Sequence, residues 1–214
     1  MKKLAKRLLT FLGLQVLVQR LYTVIVHTAS LPKWRSLGKR ERVCIELGSG
    51  AKKGASGWVT VDLRGADISH DLRKGLPLPS QSVDRIYTSH MLEHIPYKGL
   101  IIFINECFRV LKENGELSVC VPDASLYISA YIQGNRFRRI EEGYKEAIVD
   151  TGSLLDQLNY IAYMDEQHKY MFDRENLVNT LRMAPFRSVS LREFDGDLDH
   201  PSRDFESIYA IAIK

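Results

Sequence analysis

Residues 43–50, Val43-Cys44-Ile45-Glu46-Leu47-Gly48-Ser49-Gly50, run an apolar stretch into a glycine turn, and Trp58-Val59-Thr60-Val61-Asp62 follows as a second run ending in a carboxylate. Strand, turn without side-chain bulk, and strand closed by an acid describe a nucleoside-binding edge of a parallel sheet. Gly48 and Gly50 let a ligand approach the backbone closely, and Asp62 has the two oxygens needed to hold both hydroxyls of a ribose. The acid lies sixteen positions after Glu46, near the roughly 20 expected when one turn and one strand intervene.

A tight turn between two buried strands would explain the glycines but not Asp62. A dinucleotide site needs glycines at the first, third and sixth positions, and here they fall at Gly48, Gly50 and Gly54, one residue off. Glu46, just before the turn, repels a pyrophosphate and attracts the ammonium of an amino acid carried on a nucleoside. S-adenosylmethionine has that ammonium and no phosphate.

The 214 residues suit one domain with a sizeable core and an appendage. Hydrophobic content of 45% and charged content of 26% are those of an ordinary folded protein. The charge is unevenly spread: residues 1–42 hold ten Lys/Arg against Glu41, a net of +9, so the whole chain's +4 leaves −5 for the rest. A basic arm on an acidic body is drawn to anionic surfaces, lipid headgroups or nucleic acid. Cys44, Cys107 and Cys120 each fall in an apolar segment without metal-ligand spacing, which fits buried reduced thiols of a cytoplasmic protein, and no metal is expected.

Leu8 to Gln19 is twelve residues without a charge, Arg20 interrupts, and a second uncharged run covers Leu21 to Leu31. Neither reaches the roughly 18 apolar residues of a spanning helix, and joining them would place Arg20 near the middle at a cost of about 2.5 to 3.5 kcal/mol. A signal peptide lacks its small-x-small cleavage site, with His27 where a small residue belongs. Leu4, Leu8, Phe11, Val18, Tyr22 and Ile25 recur at helical spacing, which reads residues 1–31 as a basic amphipathic helix. Its stripe suits an anionic membrane surface, the domain, or a partner subunit equally. Pro32 to Arg42 reads as a basic linker, so that 1–42 is the arm and 43–214 the catalytic domain.

After Asp62 a loop reaches Asp71-Leu72 and the turn-rich Leu76 to Ser80. Ser82 to Ser89 is a strand, and His90-Met91-Leu92-Glu93-His94 follows it, a cluster of ionisable groups just past a strand's carboxyl end, where ligands of open α/β sheets bind. Leu100 to Leu111 is helical by pattern, Asn114-Gly115 stops it, and Glu116 to Val121 is the next strand. Residues 124–170, rich in tyrosine, read as helices inserted at the carboxyl edge, a lid over the site. Asp173 starts a helix to about Met183, and Ser188 to Phe194 and Ser207 to Ile213 are the last strands. The loop between them carries Asp195, Asp197, Asp199 and Asp204; it lacks the glycine and closing glutamate of a calcium loop and reads as solvated.

With these residues assembled the chain resembles the class I S-adenosylmethionine-dependent methyltransferases, most closely a small bacterial branch of type 11. The resemblance rests on Leu47 to Gly50, Gly57 to Leu63, His70 to Ile95, Glu106 to Asp123 and, later, His168 to Asp173. It implies an α/β, Rossmann-like seven-stranded sheet in the order 3-2-1-4-5-7-6, the last strand antiparallel, with helices on both faces. It implies S-adenosyl-L-methionine as cofactor, with Glu46, Gly48, Ser49 and Gly50 along its methionine part, Asp62 and Leu63 at the ribose, Asp71 and Leu72 at the adenine, and Ser89 and His90 beside the sulfonium. The third glycine of the usual turn falls at Lys52 and the loop to Asp62 is short, so the first helix is expected short or irregular. The Glu106 and Arg109 pair is expected to support the fold.

The branch is often associated with surface polysaccharide biosynthesis, which implies a glycan, a glycolipid precursor or another small molecule as acceptor, and a cytoplasmic protein peripheral at the inner face of the membrane. A scaffold that binds the cofactor without turnover is the rival reading. A nucleic-acid methyltransferase is another, disfavoured because Val121-Pro122-Asp123 is not an amine-methylating motif. Methyl transfer to a hydroxyl needs the proton to leave, and an unperturbed imidazole titrates near pH 6.5. His90 is therefore the first candidate for the base, with Glu93, His94 and His168 behind it.

Overall fold

The computed structural model describes residues 14–51, 54–137 and 149–214. Seven strands form one sheet: β1 (Cys44–Leu47), β2 (Trp58–Asp62), β3 (Ile68–Ser69), β4 (Val83–Ser89), β5 (Leu111–Pro122), β6 (Ser188–Leu191) and β7 (Ser207–Ile213). Their order is β3-β2-β1-β4-β5-β7-β6, as the resemblance implies. The first five run parallel, and β7 is antiparallel to both β5 and β6.

β1 lies at the centre with Ile45 between Val59 and Ile86, and Ile45 and Leu47 are fully buried. A short strand buried on both faces must be apolar throughout, which is why Cys44-Ile45-Glu46-Leu47 shows no alternation except at Glu46. From β1 the chain builds outward through β2 to β3, then returns to add β4 on the other side. This reversal opens a crevice above the carboxyl ends of β1 and β4.

The helices are α1 (Leu14–Leu37), α2 (Tyr97–Val110), α3 (Ala124–Ile132), α4 (Leu155–Tyr163) and α5 (Arg174–Leu181). α2 sends Leu100, Phe103, Ile104, Cys107 and Val110 into the core, the i, i+3, i+4, i+7 spacing of one helical face. α3 and α5 are capped by Asp123 and Asp173, whose carboxylates accept from the N–H of Ser125 and of Asn176. Tyr127 of α3 and Ile161 of α4 meet in a small core of their own.

Some boundaries differ from those the sequence suggests. α1 continues through Pro32 to Leu37, so Pro32 to Arg42 is not a linker. Trp34 and Leu37 anchor its end in the main core, with Trp34 1% exposed and edge-on to His70. The apolar burial of these two residues outweighs the helix-breaking tendency of one proline. Leu4, Leu8 and Phe11 lie outside the described residues, whereas Val18 and Ile25 are exposed on α1 together with Leu17, Leu21 and Val24. Between Leu47 and Trp58 the described residues form turns and no helix, in line with the irregular segment expected there. β5 begins at Leu111, directly after α2, and passes through Asn114 at φ +62 before settling into register with β4 at Glu116. β6 stops at Leu191, three residues short of Phe194.

Candidate active site

The glycine turn is built around an absent side chain. Gly48 has φ +76, and a Cβ there would lie 2.2 Å from Cγ of Met91, so the turn after β1 presses directly on the segment after β4. Gly50 has φ +64 and open space where its Cβ would be. Asp62, at the end of β2, ties the turn down: its Oδ2 accepts from the Gly50 N–H at 2.8 Å and its Oδ1 from the Leu63 N–H at 2.5 Å. Each oxygen keeps a second lone pair for a ligand hydroxyl.

A cavity of about 1080 Å³ opens from this turn. Glu46, Gly48, Ser49 and Gly50 form one wall, Asp62 and Leu63 the next, Asp71 and Leu72 a third, and Ser89 and His90 the far end. All the residues expected at the cofactor thus border one space. Asp71 is buried, caps the turn Leu72–Lys74, and accepts from the Arg73 guanidinium at 2.8 and 2.9 Å. That pairing holds its carboxyl below the usual carboxylate range.

Past β4 the backbone is bent at His90, which has φ +50. Its N–H still bonds the Cys120 carbonyl on β5 at 2.9 Å, so pairing extends one residue beyond the strand while the ring turns toward β7. Nε2 lies 2.8 Å from Ser207 Oγ, and that hydroxyl donates to the Arg203 carbonyl. Ser207 therefore accepts, Nε2 carries the proton, and Nδ1 is the basic nitrogen. Glu93 Oε1 stands 3.9 Å from Nδ1 and 3.8 Å from Nε2 of His94.

Glu93 is 2% exposed, and its Oε2 has no hydrogen-bond partner. Burial pushes its carboxyl up to about 8. The Glu93 carbonyl accepts from the N–H groups of Lys169 and Tyr170, which brings the 168–170 segment against the Leu92–His94 turn. His94 and His168 meet edge to face, ring centres 4.9 Å apart, and burial lowers the pKa of both.

A second cavity of about 260 Å³ adjoins the first, sharing His90, His94 and Arg203 with it. Glu93, Tyr160, His168 and Glu206 line the second cavity only. The four candidate bases thus gather at one place, with His90 and His94 at the junction and Glu93 and His168 beyond it.

The acidic loop is not simply solvated. Asp199 is 4% exposed and accepts from Tyr87 Oη at 2.9 Å and from Arg192 at 2.5 and 2.8 Å. A buried carboxylate needs such a guanidinium fork to offset its lost hydration. The fork folds the β6–β7 loop over the cavity and delivers Asp197, His200 and Arg203 to its rim. Sequence reasoning passed over Arg203 and Glu206, because nothing in their neighbourhood marks them and only the return of the chain along β7 brings them to His90.

The fold and site together define a Rossmann-like protein with a nucleoside-type cradle at the switch point of its sheet. The methyltransferase-domain family model matches residues 29–119. A solved S-adenosylmethionine-dependent methyltransferase from Methanosarcina mazei is similar in fold, with a TM-score of 0.52, 16% identity, and 86% of this chain and 97% of that one covered. One from Archaeoglobus fulgidus gives 0.49, 15%, 90% and 94%. No curated protein matches the chain. Residues 29–119 thus match a methyltransferase domain, and the fold is shared with a solved S-adenosylmethionine-dependent methyltransferase, which supports S-adenosylmethionine as the cofactor. The residues fit that cofactor: a side-chain-free turn, a ribose-facing acid and no phosphate-binding sixth-position glycine border a cavity of sufficient size.

Proposed function

We infer that the protein methylates a hydroxyl of a glycan, a glycolipid precursor or another small molecule. The observation that carries this reading is the continuity of the two cavities at His90, which sets a basic nitrogen between the cofactor cradle and a separate, polar-lined space for an acceptor. Glu46 would attract the cofactor's ammonium, Asp62 would hold its ribose hydroxyls, and Leu72 would pack on its adenine. When bound, S-adenosylmethionine supplies an electrophilic methyl group on its sulfonium. His90 Nδ1 takes the acceptor's hydroxyl proton, and Ser207 fixes the ring through Nε2. Helices α3 and α4 act as a lid, α4 lending Tyr160 and the segment after it His168 to the acceptor space.

The basic N-terminal arm and the exposed apolar side chains of α1 support a peripheral position at the inner face of the cytoplasmic membrane, where lipid-linked glycan precursors are presented. No helix among the described residues is long and apolar enough to cross a membrane.

Transfer of labelled methyl from S-adenosylmethionine to a panel of sugars, glycolipids and RNA tests the reading. Hydroxyl-bearing glycans or lipids should be labelled, His90→Ala should lower turnover at least tenfold, and cofactor affinity should stay within about 1 kcal/mol. Asp62→Ala should weaken cofactor binding by about 1.5 to 3 kcal/mol in calorimetry. Labelling of RNA alone would support the nucleic-acid reading, and cofactor binding without labelling of any acceptor would support the scaffold.

A further inference from the structure

Beyond the cofactor cradle, Glu93, His94 and His168 converge from two segments. One ligand atom from each lies within 4.8 Å of the others, next to the smaller cavity. Both imidazoles are oriented alike. His94 Nδ1 donates to the Gln167 carbonyl at 3.1 Å and His168 Nδ1 to the Ile161 carbonyl at 2.7 Å. A backbone carbonyl can only accept, so Nδ1 carries the proton in each ring and Nε2 keeps its lone pair. Anchoring of the far nitrogen by a carbonyl is how metal-ligating histidines are held.

The second observation is the carboxylate. Buried polar atoms are nearly always hydrogen-bonded, yet Glu93 Oε2 has no partner among the described residues although the side chain is sealed from solvent. Its other oxygen faces two imidazole nitrogens at 3.8 and 3.9 Å, beyond hydrogen-bond length. Two unprotonated Nε2 atoms and, once a bound ion displaces its proton, the Glu93 carboxylate with its unpartnered Oε2 are three ligand atoms gathered at one place. Their shared requirement is a cation.

We propose that Glu93, His94 and His168 form a binding site for one divalent first-row transition-metal ion at the acceptor end of the cavity. Two imidazoles and a carboxylate suit Zn²⁺, Co²⁺, Mn²⁺ or Fe²⁺ and leave coordination positions open toward the smaller cavity. Ligand atoms about 2 Å from one tetrahedral ion stand roughly 3.3 Å apart, so closure takes side-chain shifts of about 1 Å. Glu93 and Glu206 against Arg203 give the cavity a net negative charge once both acids are ionised, which an ion offsets. An ion here would sit beside an acceptor's oxygens and polarise them. That role rests on the methyl-transfer reading, whereas the site itself does not.

The test uses the full-length protein, free of any affinity tag, stripped with chelator and titrated with Co²⁺ alone. Visible absorption and calorimetry should show one ion per chain, with the intense ligand-field bands of a four- or five-coordinate site, displaced by Zn²⁺. Glu93→Gln, His94→Ala and His168→Ala should each weaken Co²⁺ binding by at least about tenfold, and Asp195→Asn in the acidic loop should not. Metal-free melting curves identify any variant that fails to fold, and the wild-type titration decides the question without them. Absence of stoichiometric binding, a weak octahedral spectrum only, or affinity unchanged in all three variants would overturn the site. Cofactor affinity is measured separately on the same protein: its absence would refute the methyl-transfer reading and leave the metal site standing.

Discussion

Gly48 and Gly50 share a positive φ, yet only Gly48 has a neighbour where a side chain would go, Met91 at 2.2 Å. Gly48→Ala adds overpacking to backbone strain and should cost about 2 to 4 kcal/mol, against about 1 kcal/mol for Gly50→Ala. Urea denaturation of the two variants measures this, and equal losses would mean that Met91 swings away freely. Both glycines, Glu46 and Asp62 were legible in the sequence, since a turn and its acid lie close together along the chain. His90 was legible from its place after a strand. Its partner Ser207 was not, because that hydrogen bond spans more than half the chain.

At the scale of elements, α2 holds the loop after β3 through one ion pair. Glu106 accepts from Arg109 at 2.8 Å through both oxygens and from the Leu76 N–H at 2.8 Å, while Arg109 donates to the carbonyls of Leu76 and Leu78. This is the supporting role expected of the pair. The Arg109 guanidinium holds the Glu106 carboxyl below its ordinary 4.5. A depressed folded-state pKa gives stability that is complete well above pH 4.5 and is lost as the pH falls through the folded-state value. Glu106→Gln should therefore cost about 1 kcal/mol at pH 7, the pair being partly exposed, and progressively less in acid. Thermal melts of both proteins from pH 7 to pH 3 check the sign; a gap that widens in acid would contradict it.

α1 divides into two parts. Its last turns are fastened by Ser30, Trp34 and Leu37, all buried, while Leu17, Val18, Leu21, Val24 and Ile25 face outward. A chain that begins at Thr28 should keep its fold and its cofactor affinity and lose attachment to anionic vesicles, since each basic residue near such a surface contributes about 1 kcal/mol. Vesicle sedimentation and calorimetry read the two effects. Aggregation of the shortened chain would assign the outward face to a second subunit, and equal sedimentation of both forms would remove the membrane reading.

For the whole molecule, the sequence by itself determined the sheet and the cofactor cradle, because both are written locally. Apolar runs of strand length, the Gly48 to Gly50 turn and Asp62 all fall within a few residues of one another, and pleat periodicity and backbone sterics act over that range. The end of α1 was misread for the complementary reason: Pro32 and the surrounding charges argue for a linker, and only packing of Trp34 against His70 and the core keeps the helix going. The acidic loop was misread likewise, since Asp199 is held in the interior by Arg192 at the start of the same loop and by Tyr87 from distant β4. The assembly of the smaller cavity belongs to the tertiary structure. His168 reaches His94 through backbone bonds to Glu93, and Arg203 and Glu206 arrive with the antiparallel return of β7. Such meetings are fixed by long-range strand pairing and by the solvation cost of buried charge, and neither leaves a local mark in the chain.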